Sequence, residues 1–130
     1  MEEHPNVALH RTGHEAFSSG DRDKLAQLIA EDTLWHIAGK SPLSGDCQGR
    51  EAVFGFFDKL AELSGGTIRI KDHDFLGSDE HTIALFQITA SREGKTLEAN
   101  YCEIVHWRDG QIAEDWGVAF DQYAFDEFWS

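Results

Sequence analysis

Apolar residues recur every three to four positions through the first half of the chain and at every other position through the second. Between Asn6 and Ser19, Val7, Leu9, Ala16 and Phe17 supply the apolar contacts of a first helix, and Ser19-Gly20-Asp21 ends it. Gly20 suits the left-handed position just past a helix end, and Asp21 can cap the helix that follows. That second helix is expected over about Arg22 to Ala30, with Leu25, Leu28 and Ile29 on one face. Thr33–Ile37 combines aromatic and β-branched residues and predicts a short strand. Ala38–Gly49 is dense in glycine, serine and proline and predicts a loop. Arg50–Leu63 predicts a third helix, with Val53, Phe54, Phe57, Leu60 and Ala61 at helical spacing and Gly65-Gly66 behind it.

From Gly66 onward the pattern alternates. Thr67–Leu76, Thr82–Arg92, Thr96–Trp107 and Ile112–Phe120 predict four strands, joined at Gly77-Ser78-Asp79, Glu93-Gly94 and Asp109-Gly110. Turns this short make neighbouring strands antiparallel. In the tail, Asp121–Trp129, the residues Phe125, Phe128 and Trp129 have the spacing of a helical turn that docks. The expected fold class is α+β: three N-terminal helices packed on a curved, mainly antiparallel sheet, as one domain over residues 1–130. A sheet wrapped on helices in this way is a cone-shaped barrel with an interior suited to a small molecule.

Composition narrows what that interior would serve. Hydrophobic residues are 41% of the 130 and aromatics 12%, enough for a core. Twenty-four Asp and Glu against eleven Lys and Arg leave a formal charge of −13, which repels phosphate backbones and anionic lipids. Nucleic acid and membrane surfaces are therefore not expected partners. No apolar run reaches the length of a transmembrane span and no basic-then-apolar leader is visible, so a cytoplasmic location is expected. Cys47 and Cys102 are too few for a disulfide framework. The glycines form neither a dinucleotide nor a phosphate loop, and no serine sits in a nucleophile elbow, so no cofactor is expected. His10 and His14 stand four apart on the first helix, a spacing that metals use. Arg11-Thr12-Gly13 between them lacks the glutamate of a zinc-protease motif, and no metal is expected either.

Four stretches resemble a known family: HEAFSSGD (14–21), WHIAGKSPLSGDCQGREAV (35–53), DEHTIAL (79–85) and WRDGQIAEDW (107–116). They are similar to the SnoaL-like polyketide cyclases of the nuclear-transport-factor-2-like superfamily, which also holds ketosteroid isomerase and limonene epoxide hydrolase. The resemblance implies the cone-shaped fold, a homodimer formed through the outer sheet face, and a small hydrophobic ligand. Its catalytic residues carry over incompletely. The isomerase base position falls on Ile37, its neutral aspartate on Glu103, and its helix tyrosine on Gly13 or His14. The cyclase base position falls on Gly117, with Asp115 at the position of the cyclase histidine. The epoxide hydrolase set is not recognisable.

Which residues share a face depends on the turn at Arg108-Asp109-Gly110. With a bulged type I turn, Glu103 pairs with Asp115, Tyr101 with Gly117 and Val105 with Ala113. With a two-residue turn, Glu103 pairs with Trp116 instead. The usual turn of the similar family favours the first arrangement. In it Cys102, Ile104, Ile112, Trp116 and Val118 take the opposite face. Glu103 and Asp115 would then be two carboxyl groups in an apolar cone, where one must hold a proton. One neutral acid beside one base suits proton abstraction next to a carbonyl. The expected catalytic residues are Glu103, Asp115 and His14, and the expected ligand wall is Trp35, Ile37, Tyr101, Phe54 and Phe57. The same parity turns His36 outward. The leading expectation is an isomerase or cyclase acting on a hydrophobic carbonyl compound; the alternative is a non-catalytic binding or dimerisation module with the same cavity.

Overall fold

A computed structural model describes residues 3–130. Helix α1 (Pro5–Ser19) starts with a proline, whose missing N–H falls where no helical partner exists. The His4 ring accepts from the Asn6 amide, and Gly20 ends the helix in the left-handed region at φ 73°. Asp21 caps helix α2 (Arg22–Leu28) by accepting the Lys24 N–H. That helix stops two residues earlier than its sequence suggests. Ile29 and Ala30 are buried and already extended, so strand β1 runs Ile29–Ile37 rather than from Thr33. The expected loop at 38–49 also hides a strand: β2 (Gly45–Gln48) pairs antiparallel with β1, Trp35 opposite Cys47. Gly45, Asp46, Cys47 and Gln48 are mostly exposed and give no hydrophobic alternation, so only the pairing reveals it.

Helix α3 (Arg50–Leu63) buries Val53, Phe57 and Leu60 along one stripe. The strands β3 (Arg69–Gly77), β4 (His81–Arg92), β5 (Lys95–Arg108) and β6 (Gln111–Ala119) form an antiparallel meander. Helix α4 (Gln122–Trp129) docks through Phe125, Phe128 and Trp129. The sheet order is β2-β1-β6-β5-β4-β3, with β1 and β6 paired in parallel. This is an α+β fold with a six-stranded, mainly antiparallel sheet. The concave face of the sheet and the helices enclose the core.

The last hairpin departs from both expected registers. Asp109 and Gly110 have positive φ (53° and 76°) and form a two-residue turn, so Trp107 pairs with Ile112. One strand position further on, His106 pairs with Glu114, leaving Ala113 as an extra residue on β6. The bulge slides the rest of the hairpin by one. Glu103 pairs with Gly117, Tyr101 with Ala119 and Val105 with Asp115, not with the partners expected from either turn. The slide restores the side-chain parity of the bulged-turn register, so Glu103 and Asp115 share the concave face. On the turn side of the bulge, the pairing with Trp107 puts Ile112 in the interior instead of on the expected outer face, 6% exposed.

Candidate active site

The helical repeat puts His10 and His14 on one face of α1, and that face looks into the cone. Both are buried, with ring centroids 4.9 Å apart and edge to face. Their Nε2 atoms converge on one oxygen of Glu103 from β5, at 2.7 Å for His10 and 2.8 Å for His14. Each outer nitrogen has its own partner. His14 Nδ1 lies 2.6 Å from Asp72 on β3, and His10 Nδ1 lies 2.7 Å from the Thr82 hydroxyl on β4. The indole N–H of Trp107 donates to that hydroxyl at 2.8 Å. Asp72 reaches His14 because β3 bulges at His73, between Asp72 and Asp74, and re-aims the strand.

Hydrogen-bond accounting assigns the protons. Both His14 nitrogens face carboxylates, which only accept, so the ring carries both protons. Burial by itself lowers its pKa, but the bonds to Asp72 and Glu103 outweigh that and raise it to about 9. Burial likewise pushes the Glu103 carboxyl up, yet hydrogen bonds from Asp115, His10 and His14 hold it well below the usual carboxylate range. Asp115 goes the other way: burial and then the neighbouring charge of Glu103 raise it far above its ordinary value. Its Oδ2 is sealed from solvent and receives no hydrogen bond from any N–H or O–H among the described residues. An ionised oxygen left in that state would cost several kcal/mol. Asp115 is therefore the neutral acid and Glu103 the carboxylate it donates to.

His10 needs only its Nε2 proton. The Thr82 hydroxyl takes the Trp107 N–H and can give its own proton to His10 Nδ1. The chain Trp107–Thr82–His10 thus fixes the ring, and the ring fixes Glu103.

Around this cluster lies a cavity with about 110 Å³ of space inside it, walled mainly by apolar side chains. Trp35, Ile37, Tyr101 and Phe57 line it, as do His14, Glu103 and Asp115. Phe54 does not. It lies on the flank of the Phe57 stripe opposite Phe56, with its ring centroid 6.3 Å from that of Phe57, and it packs beneath the Arg22 guanidinium, 5.0 Å from centroid to charge. Phe56 takes a place on the wall instead. Tyr101 crosses the space above Gly117, where any β-carbon would collide with its phenol. The position that resembles the cyclase base is thus occupied by a neighbouring ring. Burial raises the Tyr101 pKa, so the phenol keeps its proton and remains a donor. His36 lies on the opposite face, stacked on Trp116 and hydrogen-bonded to Glu114 at 2.6 Å and Asp46 at 2.9 Å.

Asp72, Thr82 and Trp107 escaped sequence reasoning because they come from three strands and meet only in the folded sheet. His10 had a signal, its four-residue spacing from His14, which reads as a shared helix face as readily as a metal motif.

A sequence profile described as the SnoaL-like domain matches residues 11–115. An uncharacterised protein of Mycobacterium tuberculosis, Rv0034, is 29% identical over 131 residues and the match covers both chains in full. Among solved structures, Bal32a from a soil-derived mobile gene cassette superposes with a TM-score of 0.93 at 36% identity, over 96% of each chain. TerC, co-crystallised with polyporic acid, superposes at 0.84 with 20% identity, over 96% of this chain and 98% of its own.

Proposed function

The chain belongs to the SnoaL-like domain family, and from that premise we propose that its cone binds a small hydrophobic compound bearing a carbonyl and moves a proton on it. The observation that carries the reading is that Glu103 and Asp115 meet on the cavity wall, with Asp115 Oδ2 buried and without a hydrogen-bond donor. The carbonyl oxygen takes a hydrogen bond from Asp115 and a second from the Tyr101 phenol. These are two donors aimed where negative charge develops when the neighbouring carbon loses a proton. Glu103 is the base for that proton.

At rest Glu103 is a weak base, and its hydrogen bond from Asp115 is the strongest influence holding it low. When Asp115 turns its proton to the substrate, that bond is lost and Glu103 gains basicity as the carbon acid arrives. The His14 imidazolium and His10 keep the carboxylate in place, and Asp72 keeps His14 charged. Delivery of the abstracted proton from Glu103 to a different carbon of the enolate completes an isomerisation, after which Asp115 turns its own proton back toward Glu103. Attack by the enolate carbon on a second carbonyl closes a ring, and the alkoxide that forms takes the proton held by Glu103, which completes a cyclisation. Binding of polyporic acid by TerC supports an aromatic, oxygen-bearing ligand class for this cone.

The alternative is a binding module that holds the same class of ligand without turnover. It draws on Tyr101 standing where the cyclases place a base, above Gly117. Solvent exchange separates the two. Ketones that raise the melting temperature are incubated with the protein in D2O, and deuterium at the carbon next to the carbonyl is followed by NMR. Catalysed exchange that disappears in Asp115→Asn supports the enzyme. Binding with no exchange above buffer selects the module.

The reading includes a second copy of the chain on the outer sheet face. There Val118 is 42% and Phe120 67% exposed, and Ile104 and Trp116 are half-buried. Apolar surface of this kind on a charged chain favours self-association.

A further inference from the structure

Three metal-ligand atoms meet on the cavity wall. The Nε2 atoms of His10 and His14 and the Glu103 carboxylate lie within 4.8 Å of one another. We propose that they bind a divalent transition metal of the zinc, cobalt and iron class, as a two-histidine, one-carboxylate site opening into the cone. The site goes beyond the proton-transfer reading and does not depend on it, because metal binding is measured without substrate.

Both Nε2 atoms already point at one oxygen, at 2.7 and 2.8 Å. A metal near that point needs bonds of about 2.0–2.1 Å, so each ring closes by roughly 0.7 Å while the Glu103 oxygen swings aside. Ligating histidines are held by a hydrogen bond from the far nitrogen to a carboxylate or another oxygen. His14 has Asp72 there at 2.6 Å, and His10 has Thr82, itself fixed by Trp107. Three protein ligands leave coordination positions free on the side facing the cavity.

On metal entry His14 releases its Nε2 proton to solvent and keeps the one on Nδ1, still donated to Asp72. His10 moves its single proton from Nε2 to Nδ1. The Thr82 hydroxyl rotates its own proton away from His10 and accepts on its two lone pairs, from His10 Nδ1 and from the Trp107 N–H. Other histidines offer less. The His36 ring stands between Asp46 and Glu114 near the surface, and His81 and His106 stack on each other with centroids 4.9 Å apart.

The test is titration of the chelator-treated protein with Co²⁺ and Zn²⁺. One Co²⁺ per chain is expected, with visible ligand-field bands that Zn²⁺ displaces. In the Co²⁺ form, two exchangeable imidazole N–H protons should appear as hyperfine-shifted NMR signals. His10→Ala and Glu103→Gln should each abolish the bands, and Asp72→Asn should weaken binding about 10–100-fold. His36→Ala should leave the site intact. If neither ion binds, or if binding survives His10→Ala and is lost in His36→Ala, the proposal is wrong. Should His10→Ala fail to fold, the two shifted N–H signals of the unaltered protein decide the matter: their absence overturns the site.

Discussion

Glu103 and Asp115 are not partners across the hairpin, yet they share a proton. Glu103 pairs with Gly117 and Asp115 with Val105, so the two carboxyl groups meet on a diagonal of the concave face. Replacing Asp115 by Asn keeps the size, the neutrality and a donor toward Glu103, but removes the proton that can leave. Asp115→Asn should fold with a stability within about 1 kcal/mol of the parent, because a buried neutral donor replaces a buried neutral acid. Any catalysed deuterium exchange should fall by about 10²–10⁴-fold. Urea unfolding and NMR exchange measured on the same preparation check both halves.

His14 makes stability depend on pH in the alkaline direction. Its folded pKa, about 9, lies above the ordinary 6.5 of an unfolded histidine. A raised basic group stabilises the fold fully below its unfolded pKa and loses that contribution as pH rises through its folded pKa. Stability should therefore decline between about pH 6.5 and 9, by up to roughly 3 kcal/mol from this group. Urea melts across that window should show the slope, and His14→Gln should flatten it. A His14 ring that titrates near 6.5 by NMR would contradict the assignment.

Gly117 leaves room for the Tyr101 ring. Gly117→Ala should destabilise the protein by about 1–3 kcal/mol through overpacking against the phenol. The same change made beside Tyr101→Val should cost less, since the atoms it strikes are gone. A double-mutant cycle in urea measures this coupling.

Thr82 joins Trp107 to His10 in a sealed interior. Thr82→Val preserves shape and strands the indole N–H and the His10 ring nitrogen. A loss of about 1–3 kcal/mol is expected, and Thr82→Ser should recover most of it. Thermal unfolding of the two variants against the parent distinguishes a lost hydrogen bond from lost packing.

The outer sheet face gives a separate prediction for assembly. Trp116→Glu sets a charge in the middle of the apolar outer strip, far from the cavity. Light scattering on a sizing column should find a dimer for the parent and a monomer for the variant. A monomeric parent would remove the second copy from the reading.

Local pattern decided most of the elements. Helix ends at Gly20 and Asp21, the stripe of α3, the alternation of β4 to β6 and the docking tail all rest on neighbours a few residues apart, which a linear chain displays. The parity that brings Glu103 and Asp115 to one face was also legible, although the register behind it was not. What escaped depends on contacts distant in sequence. Strand β2 has no hydrophobic signature and exists because β1 offers it a hydrogen-bonding edge. The two-residue turn pairs Ile112 with Trp107, and the bulge at Ala113 then lets Ile112 and Asp115 face inward together. The bulge at His73 sends Asp72 to His14 across 58 positions. Protonation lay furthest from the sequence. Whether a carboxyl group is acid or base depends on burial and on the donors around it, and those are supplied here by four different elements of the folded chain.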